Sequence, residues 1–358
     1  MTAVATPGPP RAARGPAVLA ARLFGSPLNV VLTLAVAWAA WSLAAPLVRW
    51  AVLDAAVLPA EPAACRDISG ACWSFVVAKS GQILFGIYPI EERWRPTLVC
   101  AVLLGLLAYS LRPAAWRPHL AALWAAALPG VLLLMFGGVA GLSYVATTMW
   151  GGLPVTLILT VTAIGGAFPL AILLALGRRA DLPVIRTLCV LFIEVTRAMP
   201  LLSLLFIASI MLPLLLPEPL LPDKFFRAMI ALLLFAAAYL AEVIRGGLQA
   251  LPPGQAEAAR ALGLGYWRTQ RFVVLPQALA LVIPSLTNTI IVMIKNTSLV
   301  LVVGLFDLIS SGRAALADPE WSSPAMETYI FIASVYFALC FGFGRFARAL
   351  ERRAEATP

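Results

Sequence analysis

An all-α, polytopic membrane fold follows from three observations on this 358-residue chain. Hydrophobic residues make up 61% of it and charged residues only 12%, a balance that a soluble domain does not reach. The apolar residues fall into eight runs close to the length that crosses a bilayer, about 20 residues. Lys and Arg gather in alternate connections between those runs, which is the pattern of loops retained in the cytosol.

The runs lie near 28–48, 96–111, 120–140, 153–176, 198–216, 228–244, 279–303 and 326–346. The second is short, and apolar sequence before the fifth suits the membrane interface. Pro7, Pro9, Pro10 and Pro16 mark an irregular start. Arg11, Arg14 and Arg22 then hold the N-terminus inside. The run from Leu28 to Val48 exceeds a secretory apolar region and ends without a small-residue cleavage site, so it reads as an uncleaved span. The 49–95 loop balances Arg49, Arg66, Lys79, Arg93 and Arg95 against Asp54, Glu61, Asp67, Glu91 and Glu92 and belongs outside. Arg112 and Arg117 fall inside, the 141–152 connection carries no charge, and Arg178, Arg179 and Arg186 fall inside again. Lys224 and Arg227 offset Glu218 and Asp223 outside. Arg245, Arg260, Arg268 and Arg271 place the following loop inside, and Arg345, Arg348, Arg352 and Arg353 do the same for the C-terminus.

Character changes near residue 150, because the first three runs hold almost no polar residues and the last five hold several. The expected organisation is a cytosolic tail (1–27), an extension with three spans and an outer loop at 49–95 (28–150), a five-span core (151–350) and a cytosolic tail (351–358).

The composition excludes several function classes. The net charge of +9 sits in short clusters beside apolar runs, which argues against nucleic acid. His119 is the single histidine, so no multi-histidine metal site exists. No G-x-x-x-x-G-K-[ST], H-E-x-x-H or G-x-S-x-G occurs, so the chain binds no cofactor by those means and carries no recognisable enzyme site. A membrane enzyme would have only Lys295 and Glu242 to work with at membrane depth. Cys65 and Cys72 share the outer loop, where a disulfide or two free thiols are both compatible with the sequence. Cys100, Cys189 and Cys340 lie in apolar sequence and read as packing residues.

The most informative segment is Glu257-Ala258-Ala259-Arg260-Ala261-Leu262-Gly263, followed after nine residues by Val273-Val274-Leu275-Pro276. A helix-forming start, a helix-ending Gly and a Leu-Pro restart describe two short helices presented to a soluble partner, within a loop at about 246–276. Polar residues inside spans are costly and mark a second set of candidates. Ser285, Asn288, Lys295 and Asn296 stand at offsets 0, 3, 10 and 11, one face of a helix, which Thr287, Thr289, Thr297 and Ser298 widen. They line a path, or they join helices by hydrogen bonds. Tyr239 and Glu242 share a face three residues apart. Glu242 meets a positive group of a substrate, or pairs with Arg245. Glu194 and Arg197 repeat that spacing before Pro200, which interrupts the helix. Asp307, Arg313, Asp318, Glu320 and Trp321 form a solvated outer loop or a docking face.

These segments resemble the permease core of polar amino-acid ABC importers, the family of the histidine and glutamine permeases. The resemblance rests on the E-A-A loop, in which Val273 replaces the usual Ile, and on Gly152-Leu153-Pro154-Val155-Thr156-Leu157. It rests also on Glu194 to Leu202, where Ala198-Met199-Pro200 stands for G-T-P, on Ala238 to Gly247 and on Lys295-Asn296-Thr297-Ser298-Leu299. The extension with three spans is similar to the M-type subunit of general L-amino-acid importers. The resemblance implies a type I permease core of five helices plus three N-terminal helices in the bacterial inner membrane. It also implies ATPase subunits that use ATP and Mg, a second permease subunit as homo- or heterodimer, and a periplasmic amino-acid binding protein. Glu257 and Arg260 would meet the ATPase, Ala258 and Ala259 would pack in its groove, and Gly263 would turn the chain. The alternative is a secondary carrier that needs no ATPase.

Overall fold

The computed structural model describes residues 16–66, 68–110, 112 and 118–356. Pro7, Pro9, Pro10, Arg11, Arg14, Asp67 and Arg117 lie outside them, as does the Arg353 side chain. Pro16, read above as part of an irregular start, opens a helix.

The chain divides into two compact units, with the boundary between Phe75 and Val76. The first holds α1 (Pro16–Phe24) and α2 (Pro27–Val48). Ser26 caps α2 by accepting from the Asn29 amide, and Pro27 supplies the preset first-turn geometry. Apolar on every side, α2 buries no residue within the chain and leaves Trp38 and Trp41 exposed, as a lipid-facing helix does. The loop that follows α2 folds on itself. The Ala56 amide donates to the Ala71 carbonyl and the Ala71 amide to the Trp50 carbonyl, Trp73 Nε1 donates to the Ala51 carbonyl, and Cys65 and Cys72 are joined by a disulfide with both cysteines buried.

Helix α3 (Trp73–Phe85) leads into the second unit, which continues with α4 (Trp94–Ser110) and α5 (Pro118–Phe136). Arg95 is buried at the start of α4 and donates to the Ser143 carbonyl at 2.7 Å and the Ser143 hydroxyl at 3.0 Å. Glu92 completes this knot 2.8 Å from Arg95.

The centre of the unit is the pairing of α6 (Gly152–Gly177) with a later long helix. Ala163, Ala167, Ala171 and Ala175 recur every fourth residue on α6 and are all buried. Small residues in one stripe let two backbones approach closely, which is what holds helices together where lipid removes the hydrophobic drive. After α7 (Pro183–Ala198), Met199 and Pro200 break the helix, and the following segment turns through 104°. That segment comprises α8 (Leu201–Phe206), a widened turn at Ile207–Met211 and α9 (Leu212–Leu215). The partner of α6 is α10 (Lys224–Ala250), capped by Asp223. Ala228, Ala231, Ala237, Ala238 and Ala241 supply its buried small residues.

Beyond α10 come α11 (Gly254–Ala261), α12 (Tyr266–Thr269), α13 (Leu275–Leu281) and α14 (Ile283–Asn296). A tighter turn continues α14 through Thr297–Val303 and stops at Gly304, whose φ of 74° suits glycine. Then follow α15 (Leu308–Leu316) and α16 (Ala325–Ala356). Gly247 lies against the Ala278 carbonyl, so a side chain there would push α10 and α13 apart.

Among the described residues six helices are long and apolar enough to cross a membrane, or seven crossings if the bent pair 183–198 and 201–215 counts as one. The expectation of about eight differs at two places. The run at 96–111 is α4, a helix of 17 residues, and the run at 198–216 is the second arm of the bent pair.

At the far end from α11, Asp307 is fully buried and caps α15 through the amides of Ser310 (2.9 Å) and Ile309 (3.2 Å). Burial pushes its carboxyl up, against the pull of those bonds. Asp318 instead pairs with Lys79 at 2.5 Å, which ties α3 to the 317–324 turn, and Trp321 is buried. Of the expected solvated loop, Arg313 and Glu320 alone of the named charges are exposed. Asp307→Ala should destabilise the purified protein by about 1–2 kcal/mol, while Asp307→Asn, which keeps an accepting oxygen, should lose less. Equal thermal midpoints for Asp307→Ala and the parent would contradict the cap.

Candidate functional site: an exposed helical handle and the charge network behind it

Leu251, Pro252 and Pro253 end α10 and release the chain into α11. Gly263 takes φ of 80° beyond the end of α11, and the amides of Gly263 and Leu264 return to the carbonyls of Arg260 (2.9 Å) and Ala259 (3.2 Å). This is the left-handed closure that a helix-ending glycine provides. Thr269 donates to the Leu264 carbonyl, and Gln277 of α13 reaches Gln255 of α11 at 3.3 Å, so the two short helices are held as one piece.

Glu257, Ala258 and Arg260 are exposed on α11, and Leu262 is 83% exposed. Tyr266, Trp267 and Phe272 extend this face with large apolar groups. Ala259 is 4% exposed and packs inward, so it differs from its neighbour Ala258 and has no surface to offer a partner's groove. Successive residues on a helix stand about 100° apart, so Ala259 meets the bundle while Ala258 faces outward.

One turn and more back from the handle lies a network of charges. Glu242 accepts from Arg245 Nε at 2.9 Å and from Arg245 Nη2, and it lies 3.4 Å from Arg178 and 3.8 Å from Arg197. Arg178 also bonds Glu194 at 2.7 Å. Tyr239 contributes its hydroxyl to the Arg197 carbonyl (3.5 Å) and its ring to the Arg197 guanidinium, 5.7 Å away. The two candidate clusters on α7 and α10 are therefore one network, and Arg178 at the end of α6 is its third limb. The Arg178-Arg179 doublet follows a span directly, and that position is the sequence signal for its part in the network as well as for the side of the membrane. Arg179 Nη1 meanwhile donates to the Leu248 carbonyl at 2.7 Å.

The polar residues of α14 separate into two groups. Ser285, Asn288 and Lys295 are exposed along one face, with Val292 between them. None of the ion pairs among the described residues involves Lys295. Asn296 is half-buried, with its amide 3.9 Å from the Met293 sulfur. Thr297 is 1% exposed and donates to the Ile294 carbonyl, so it faces the core. Thr287, Thr289 and Ser298 likewise satisfy themselves on carbonyls of their own helix. Lys295 and Glu242 make no ion pair with each other.

These residues form one arrangement. Its parts are a rigid exposed handle, a network tying the handle's root to three helices, and an open polar face on a span, which together define a membrane-embedded transport subunit. The chain belongs to the family described as "Binding-protein-dependent transport system inner membrane component", matched over residues 167–356, and is a permease subunit of an ABC importer. It is 46% identical to the inner membrane amino-acid ABC transporter permease protein YhdY of Escherichia coli (strain K12), over 99% of this chain and 98% of that one. It is 35% identical to the glutamate/glutamine/aspartate/asparagine transport system permease protein BztC of Rhodobacter capsulatus, over 93% of this chain and 92% of that one. A crystal structure of an amino acid ABC transporter with histidines matches at 33% identity and a TM-score of 0.48, covering 55% of this chain and 90% of that chain. Members of the family are transport subunits rather than enzymes in themselves.

Single cysteines at 258 and 259, in a chain cleared of native cysteines, should react with a water-soluble maleimide at rates differing about tenfold or more, position 258 being the faster. Equal rates would show that α11 is rotated from the orientation described.

Proposed function

We propose that this chain carries amino acids as one half of an ATP-driven importer's path, and that the observation behind this reading is the outward-held E-A-A handle. Glu257 and Arg260 make polar contacts with a separate ATPase subunit, which binds the ATP and Mg. Ala258 allows close approach, Leu262 enters the ATPase surface, and Gly263 sets the turn. The names of the full-length relatives support amino acids as the cargo. The M-type comparison favours a distinct permease as the second half, and a periplasmic binding protein delivers the substrate.

The exposed face of α14 supports the half-path reading on physical grounds. An ammonium and an amide facing hydrocarbon cost several kcal/mol, so Ser285, Asn288 and Lys295 are covered by water, substrate or the second permease rather than by lipid. Residues 151–350 serve as the transport core and 28–150 as the extension. Both termini and the handle lie in the cytosol, on the distribution of Lys and Arg. ATP closes the ATPase pair, the handle follows, and the spans rock between inward and outward openings.

The test is crosslinking from single cysteines at Arg260 and Leu262 to co-purifying proteins, with and without ATP. An ATP-sensitive link to a P-loop ATPase is the expected result. A handle that stays freely modifiable from the cytosol, with amino acid uptake persisting when no ATPase is present, would favour a self-sufficient carrier.

A further inference from the structure

Between the handle and the bundle lies an open niche of about 530 Å³ that the handle's own contacts leave unfilled. Its floor is apolar and belongs to the last turns of the two central helices, Leu176 of α6 and Leu248 of α10, with Val274 from the turn before α13. Its rim is polar, and each group comes from a different place in the chain. Arg179 and Asp181 follow α6, Gln255 and Arg260 lie on α11, Tyr266 opens α12, and Gln270 follows it.

Three features bear on what fits there. First, both arginines keep donors to spare, because Arg179 spends Nη1 on the Leu248 carbonyl and Arg260 spends Nε on the Ala256 carbonyl. With Asp181 as the one acidic group on the rim, the niche favours an anion. Second, the Gln270 side-chain oxygen is buried with no hydrogen-bond partner, and as an acceptor it calls for a donor, such as a headgroup hydroxyl, beside the anion and not for the anion itself. Third, the floor is made of the ends of two membrane-length helices, which puts the niche at the depth of lipid headgroups, with Tyr266 and Trp267 exposed beside it as interfacial aromatics are.

We propose that this niche binds the phosphate headgroup of an anionic phospholipid, held by the Arg179 and Arg260 guanidiniums over the apolar floor, with Asp181 limiting its affinity. Arginine pairs presented at the cytosolic face of a bundle are suited to such headgroups, each worth enough to change binding about fivefold. An occupant would touch α6, α10, α11 and α12 together and would stiffen the handle against the spans. This rests on the importer reading only for the side of the membrane on which the niche opens.

The experiment uses the assembled complex in nanodiscs of phosphatidylcholine with a minor fraction of phosphatidylglycerol, and counts the phosphatidylglycerol retained after transfer to mild detergent by native mass spectrometry. The parent should retain phosphatidylglycerol in preference to phosphatidylcholine. Arg179→Gln should reduce retention about fivefold, and Asp181→Asn should increase it, a gain that misfolding cannot imitate. Arg186→Gln, on the exposed part of α7, should change nothing. An equal loss in Arg186→Gln would show only diffuse surface charge, and no gain in Asp181→Asn would show that the niche is not where the lipid sits. Displacement by the same concentration of inorganic phosphate would mean a free anion rather than a lipid. An occupant supplied by the ATPase would appear as retention in the isolated permease that vanishes in the complex. Each of these four results overturns the proposal. Retention is read without substrate or ATP, so a failure of amino acid uptake with retained lipid would count against the transport reading alone.

Discussion

A carboxylate surrounded by three guanidiniums at the end of a membrane bundle constrains everything near it. Glu242 compensates Arg178, Arg197 and Arg245, which otherwise would sit as like charges within a few ångströms in a setting of reduced dielectric. Because the arginines come from α6, α7 and α10, the pairing fixes where those helices end relative to one another. Glu194 shares the load from the edge, and Tyr239 shields Arg197. Half-buried pairs of this kind contribute more through geometry than through net stability, since much of the attraction offsets desolvation.

The handle depends on that geometry. Its chain leaves α10 a few residues beyond Arg245, and Arg179 holds the last turn of α10 through the Leu248 carbonyl. Gly247 brings α10 against α13, so the returning helix is anchored to the same end. On the proposed function, a displacement of α11 would reach α6 and α10, whose alanine stripes pack closely, and α13, which runs on into α14 and its polar face. On the function proposed above, a root of this kind is what would convert motion of a surface helix into motion of spans.

Much of this was legible in the residues. Apolar runs located every long helix, and Gly263 announced the end of α11 because only a left-handed residue closes a helix in that way. What escaped was contact across the chain. A run at 198–216 looks like a straight span until Pro200 is allowed to bend it by 104° against α7. The run at 279–303 is read as one helix, but Val282 and Pro284 divide it into α13 and α14. Thr297 counts as part of a polar face by residue type, whereas its hydroxyl finds a carbonyl on its own helix and turns inward. Spacing identified Glu242 with Arg245 and Glu194 with Arg197, but local periodicity carries no information that all four share one network with Arg178. Ala258 and Ala259 are chemically identical, and only the rotation of α11 against the bundle separates them.

The central claim is that the Glu242 network transmits handle motion to the spans. Pulsed electron-spin distances settle it, measured in the assembled complex between spin labels at Leu262 and, separately, at Val292 of α14, with and without ATP, in the parent and in Glu242→Gln. The account predicts ATP-dependent shifts at both positions in the parent, and in Glu242→Gln a shift at Leu262 with none at Val292. A full shift at Val292 in Glu242→Gln would contradict it.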